Sequence, residues 1–550
     1  MITALKQRLR ANRGLYQLAR DLYQPAALLG ASVWGRQQLQ PVRAIEDQIR
    51  AIELQRPPRE PHVLIFDAAP QGARLTCHTT TSRAIGWSLR LAGQSVRYAV
   101  CRSGVPKCFY SYDALHPLSD PPCTRCAVLR SAAYPADLTS PLLPQAELWA
   151  EWRRELSGLP LHDLERYRYQ DLELGRICAA SVRWALRRHT LEGDEVGRAL
   201  LIRYLVGALS LSRSFDRLLD ELQPRAVVTY NGAFFAEATV AEVVRRRQIP
   251  LVTHEIGWVP GRMFVAHGQA TRYQIPLPPG YELSPAAEAK LEAYLSKRFA
   301  GDFRMGATNF WPEIKTLSPA LRERMARYRQ VVSVFTNVVF DTSQLYANVV
   351  FDDMFDWIDG TLDLARQAPD TLFIIRVHPD EYLKNTKDTV AGWLDRRPDG
   401  LPENVVLVPP NEYISSYDLV RVSKFVVVYN STIGLEAMIL GKRVVCGGET
   451  RYLGSTAAVR PDDRDGYGRL IKEYLAAGRL NLDEESQLQA RRYLYYTYFE
   501  ACLDLSPWIG TGLEVDDDRL GDAMAYHPDR SAEMGILVRG VLDGRPFTYA

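Results

Sequence analysis

Along most of the chain, short unbroken apolar runs alternate with stretches whose apolar positions recur at helical spacing. HVLIFDAA (62–69) leads through a helical SRAIGWSLRLAG into SVRYAVC, which predicts a β-α-β unit. Further on, RAVVTY and PLVTHE flank a helical AEATVAEVVRRRQ. A second, more regular series predicts strands over 331–340, 371–379, 404–409, 424–430 and 443–448, with a helical segment between neighbours. Runs without polar alternation are what a parallel strand needs when helices cover both its faces. Right-handed crossovers then supply those helices. The expected class is α/β, with two doubly wound domains.

Breaks in the pattern set the expected boundaries. Residues 1–58 read as an N-terminal helical segment that ends in QRPPREP. Residues 59–280 read as the first α/β domain, with an Arg-rich helical insertion over about 146–220. Linker helices are expected over 281–330, the second α/β domain over 331–510 and a C-terminal tail over 511–550. A length of 550 residues suits this organisation.

Charge narrows the partners. The 67 basic residues nearly cancel 65 acidic ones, and clusters such as Arg245-Arg246-Arg247 fall in helical patterns, so nothing marks a nucleic-acid partner. No apolar stretch reaches the roughly 18–20 uncharged residues that cross a bilayer. With no cleavable signal layout either, the expected location is cytoplasmic. The opening stretch through Leu39 mixes Lys and Arg with Leu, Tyr and Trp. That pattern suits peripheral contact at the inner face of a membrane, and equally a helix packed on its own domain. Among eight cysteines, Cys101, Cys108, Cys123 and Cys126 lie close in sequence. A structural zinc site is one expectation for them and buried free thiols the other.

The chemistry-bearing residues fall where strands are expected to end. In VVVYNSTIGLEAMILGKRVV (426–445), Asn430, Ser431 and Thr432 stand between a buried strand and a helix closed by Gly441. Ser431 or Thr432 can cap that helix, but one cap does not explain three polar residues in a row. A phosphate at the helix start is the functional expectation, with Gly434 allowing close approach and Glu436 accepting hydrogen bonds from a ribose. In IIRVHPDE, strand alternation puts Arg376 and His378 on one face, so that His378 could donate to a phosphate oxygen. In VVTYNGAFFAEATV and LVTHEIGW, Asn231-Gly232 and His254-Glu255 each follow a strand and should meet at one crevice. Glu255 is the expected catalytic carboxylate, a base for an acceptor hydroxyl, with His254 and Asp67 in reserve.

RVHP followed by VVYNSTIGLEAMILGKRVV resembles bacterial capsule polysaccharide synthesis proteins. More distantly it resembles the bacterial sialyl-, Kdo- and polyol-phosphate transferases of the GT-B fold. The resemblance implies two Rossmann-type domains facing a central cleft, the first binding acceptor and the second binding donor. It implies that the HP and Ser/Thr motifs hold nucleotide phosphates, making His378, Ser431, Thr432 and Glu436 donor-binding. FTNVVFD (335–341) looks like the first donor-domain loop of the capsule group, which adds Asn337. Lys442 and Arg443 follow Gly441 where that pattern usually carries proline before its valines.

The expected function is a glycosyltransferase that moves a sugar from a nucleotide-activated donor, a CMP- or UDP-sugar, to a glycan or lipid-linked glycan acceptor in surface polysaccharide synthesis. No cofactor is expected for the chemistry, because no metal-binding acid pair stands at a strand end and His378 with the helix start can neutralise phosphate. A nucleotide-sugar 2-epimerase shares the layout and would isomerise donor without acceptor. A non-catalytic assembly protein of a polysaccharide machine would tolerate loss of Glu255 and His378.

Overall fold

The computed structural model describes residues 39–68, 75–108, 116–121, 123, 126, 133–271, 274–301, 315–341 and 344–550. The stretch considered for membrane contact lies, up to residue 38, outside the described residues. Among the described residues, strands β1 (Arg59–Asp67), β2 (Gln94–Cys101), β3 (Thr139–Leu142), β4 (Ala226–Tyr230), β5 (Leu251–Ile256) and β6 (Arg262–His267) come first. Then follow β7 (Gln330–Phe335), β8 (Thr371–Arg376), β9 (Val405–Val408), β10 (Val426–Val428), β11 (Val444–Cys446) and β12 (Cys502–Asp504).

They form two sheets, ordered β12-β6-β5-β4-β1-β2-β3 and β11-β10-β7-β8-β9. The second is wholly parallel, and in the first only β6 and β12 run antiparallel to their neighbours. Each sheet grows outward on one side of its first strand, then the chain returns to the other side. The order therefore reverses between β1 and β4, and again between β7 and β10. At such a reversal the connections diverge and leave a crevice at the carboxyl ends of the strands, where α/β proteins bind ligands. These are two Rossmann-type units, the domain composition of the GT-B class.

One unit takes its described residues from Met1–Leu186, Leu191–Thr271 and Cys502–Ala550, the other from Arg187–Thr190 and Arg272–Ala501. Helices cover both faces of the first sheet, which explains its apolar runs. On one face Val63, Ile65, Val228 and Val252 pack with the helices Gln40–Gln55, Cys77–Leu91 and Ala532–Asp543. On the other, Leu64, Phe66, Val227 and Leu251 pack with Leu174–Leu186, Glu195–Leu222 and Phe235–Arg246. In the second sheet Val426, Val427 and Val428 are fully buried.

Three expectations about the chain's course are corrected. The helices of the insertion are half of the first unit's core, because their apolar faces cover one side of the sheet. Residues 511–550 are no tail, since Met534, Leu537 and Val541 are buried in the same core as Trp87 and the chain adds β12 to the first sheet beforehand. The helix Pro285–Phe299, expected as linker, belongs to the second unit and buries Leu291, Leu295 and Arg298.

Candidate functional site

Both order reversals gather polar residues, and the two gatherings differ in kind. In the second unit the expected strand over 371–379 stops at Arg376. Arg376 and His378 therefore do not alternate along one strand, which corrects that expectation. The backbone N–H of His378 leaves the ladder and donates to Thr336 Oγ1 at 3.1 Å, tying the end of β8 to the end of β7. Arg376 is buried and donates from Nη1 to the carbonyl of Pro409 at 2.5 Å, and burial pulls its pKa down to about 10. His378 Nδ1 accepts from the Asp380 N–H at 3.1 Å, which leaves the ring proton on Nε2 as a donor. Burial first, and the charge of Arg376, hold its pKa below the ordinary imidazole value, so the ring is neutral near pH 7.

Across the reversal Asn337 Nδ2 donates to Asn430 Oδ1, an oxygen that also accepts from Gln344 at 3.2 Å. The structure thus brings Asn337, His378 and Asn430 to one rim through Thr336 and this amide pair. Ser431 and Thr432 follow, half-buried. Thr432 occupies the cap position of the helix Ile433–Ile439 yet makes no side-chain cap bond. Neither hydroxyl is used by the fold among the described residues, while the Ser431 carbonyl accepts from Tyr452 at 2.8 Å.

Two expected donor contacts turn out to be internal. A Cβ on Gly434 would collide with the Tyr452 hydroxyl and lie 3.1 Å from Val444, so the missing side chain makes room for Tyr452 rather than for a ligand. Glu436 is 1 % exposed, and its oxygens are taken by Arg298 Nε at 2.7 Å and the Tyr417 hydroxyl at 2.7 Å. Burial lowers the pKa of Arg298, but the Glu436 carboxylate outweighs that and leaves it well above the usual value. Glu436 is an anchor between the helices Ile433–Ile439 and Pro285–Phe299, not a free ribose acceptor.

In the first unit the rim is ionisable. Glu255, on β5, accepts from Asn231 Nδ2 at 2.9 Å and from the Ile256 N–H at 2.7 Å. Asn231 is itself fixed, its Oδ1 accepting from the Ala233 N–H at 2.8 Å. Gly232 makes the turn with φ +71°, a conformation that favours glycine, and its carbonyl accepts from Gln269 at 2.6 Å. The Glu255 charge reaches Cys77, whose thiol is pushed up to about 12 mainly by burial, and the Tyr230 phenol, raised for the same two reasons.

His254 is corrected as a candidate base. Successive strand residues point to opposite faces. His254 therefore turns away from Glu255, is 0 % exposed and meets Ser82 Oγ at 2.9 Å from Nε2. Burial, with the charge of His78, pushes its pKa down to about 3. Asp67 stands at the end of β1 and accepts from the Tyr134 hydroxyl. The proposed zinc site is also corrected. Among the described residues no group of three or more His, Cys, Asp or Glu is placed to hold a metal. Cys101 ends β2 inside the core, where it lines one small cavity with Cys108.

Sequence reasoning missed Arg298, Tyr417 and Thr336. Thr336 adjoins Asn337 and could have been found as another polar residue ending a strand. Arg298, in an ordinary amphipathic helix, carries no local signal.

Residues 299–493, which contain the second rim, match the family model for capsule polysaccharide biosynthesis proteins. Protein FixF of Sinorhizobium fredii (strain NBRC 101917 / NGR234) is 25% identical over 331 residues, spanning 59% of this chain and 68% of the relative. Among solved structures, the chain is similar to the beta Kdo 2,4 transferase KpsC of Thermosulfurimonas dismutans, with 16% identity and a TM-score of 0.35 over 54% of this chain and 88% of that one. It is also similar to the UDP-GlcNAc 2-epimerase of Methanocaldococcus jannaschii, with 11% identity and a TM-score of 0.25 over 79% and 99% of the two chains.

Proposed function

We propose that this protein is a glycosyltransferase of surface polysaccharide synthesis, working in the cytoplasm, that moves a sugar from a CMP- or UDP-type donor to a glycan or lipid-linked glycan. The observation that carries the reading is the second rim. Ser431 and Thr432 present hydroxyls the fold leaves unspent, beside a neutral His378 with its proton on Nε2, at an order reversal inside the segment that matches the capsule family. Those groups suit the phosphates of a nucleotide donor, and Asn337 and Asn430 hold the rim in shape.

In the first unit Glu255 is the proposed base. Asn231 and the Ile256 N–H fix its carboxylate, so it can take a proton from an acceptor hydroxyl as the glycosidic bond forms. His378 would steady charge on the departing nucleotide, and this route needs no metal.

A thermal-unfolding screen with CMP-, CDP-, UDP- and GDP-sugars tests the donor assignment. A donor at ~100 times its Kd should add roughly 2.7 kcal/mol of stability. The hit is then incubated with and without a glycan acceptor. Transfer that needs acceptor supports the proposal, whereas isomerisation of donor alone would replace it with an epimerase. If no nucleotide shifts the unfolding temperature, the donor assignment fails.

A further inference from the structure

The helix Cys77–Leu91, which follows β1, carries two buried arginines about two turns apart, on one face. The fold pairs one of them fully. Arg90 donates from Nε and Nη2 to Glu53 at 2.8 and 2.7 Å and from Nη1 to Glu46. Arg83 is equally buried, 2 % exposed against 3 % for Arg90. Yet its Nε and Nη1 have no hydrogen-bond acceptor among the described residues. One turn earlier, on the same side of the helix, Thr80 is 1 % exposed, and its Oγ1 also has no hydrogen-bond partner.

The guanidinium sits near the carboxyl end of β1. Helical side chains lean toward the helix N-terminus, which for this helix is the rim. Arg83 stacks over the Tyr134 ring at 4.9 Å, and the hydroxyl of that ring donates to Asp67, the last residue of β1. Asp67 is thereby engaged by Tyr134 rather than by Arg83. A buried cation without a counter-charge is costly, and proteins that bury arginine pair it, as this helix does at Arg90. Guanidinium and hydroxyl donors on one helix face are matched chemically by an oxyanion.

We propose that the first unit binds an oxyanion, a carboxylate or phosphate group of its ligand, at Arg83 and Thr80. Calling that ligand the acceptor rests on the transferase reading; the anion site itself does not.

The test uses the full chain with saturating CMP or UDP to occupy the nucleotide site. Thermal unfolding is followed while inorganic phosphate or glucuronate is titrated at constant ionic strength into wild type, Arg83→Met, Arg83→Lys and Thr80→Val. The expected result is a saturable rise in the unfolding temperature of wild type with at least one probe. Half-saturation should weaken roughly tenfold or more in Arg83→Met and less in Arg83→Lys. A response to glucuronate alone assigns a sugar acid, and a response to phosphate alone a phosphate ester. Equal titrations in wild type and Arg83→Met overturn the proposal. If Arg83→Met does not fold, an unchanged titration in Thr80→Val overturns it instead. Loss of the nucleotide response in wild type would count against the donor assignment, while an Arg83-dependent shift would still stand.

Discussion

The two sheets share the order of five parallel strands and one reversal, but their rims are furnished differently. At the ends of β7, β8 and β10 the groups around the Asn337 to Asn430 bond are amides, hydroxyls and one neutral imidazole, with the buried Arg376 cation behind them turned to the Pro409 carbonyl. At the end of β1, β4 and β5 stand carboxylates, with Glu255 held by Asn231 and Asp67 by Tyr134. Neutral donors can grip an anion without changing protonation state. A fixed carboxylate can accept a proton. One topology thus offers the same crevice twice, and the side chains at the strand ends decide whether it is suited to holding or to proton transfer.

The sharpest way to break that comparison is Glu255→Gln. Turnover should fall by roughly 10²–10⁴-fold, the usual contribution of a positioned base. Nucleotide-dependent stabilisation should be unchanged, because that variant leaves the second unit intact. Equal loss of binding and turnover would show that Glu255 does not act as a base.

Next in size is the anchor behind the second rim. Glu436→Ala leaves Arg298 buried without its partner and should cost about 3–5 kcal/mol in urea unfolding. A ribose-binding Glu436 would instead leave stability nearly intact and raise the donor KM.

At the second rim itself, Ser431→Ala with Thr432→Val should weaken nucleotide binding by about 1.5–3 kcal/mol for each hydrogen bond lost to a charged phosphate. Calorimetric titration measures this directly. Global stability should stay within ~0.5 kcal/mol, since neither hydroxyl supports the fold.

The smallest effect concerns Glu381, three residues beyond His378. Burial raises its pKa from 4.5 to about 7, partly opposed by the Val390 N–H. The folded protein therefore binds this proton more tightly than the unfolded chain does. Its contribution is most favourable below about pH 4.5, declines as pH rises through 7, and is constant above that. Glu381→Gln should remove that decline, worth about 1–3 kcal/mol between pH 5 and 7.5 in paired denaturation curves.

Much of the second rim was legible in the sequence because its signals are local. VVVYNST announces a buried parallel strand and the polar residues that end it, and RVHP does so beside it. The Asn231 to Glu255 pairing was legible in part, since each residue closes its own strand. Glu436 and Gly434 misled because their partners come from elsewhere in the chain. Arg298 lies 138 residues from Glu436, and Tyr452 reaches Gly434 only through the folded loop after β11.

By itself the sequence determined the α/β class, the position of most strands and which polar residues stand at strand ends. These follow from hydrophobic period and from residues that stop a ladder, and both are properties of neighbours along the chain. Only the tertiary structure decided that residues 502–550 complete the first unit, that Glu436 is neutralised by Arg298, and that Arg90 is paired where, among the described residues, Arg83 Nε and Nη1 have no acceptor. The physical reason is that a buried charge is defined by what surrounds it, and its surroundings come from segments brought close only by folding.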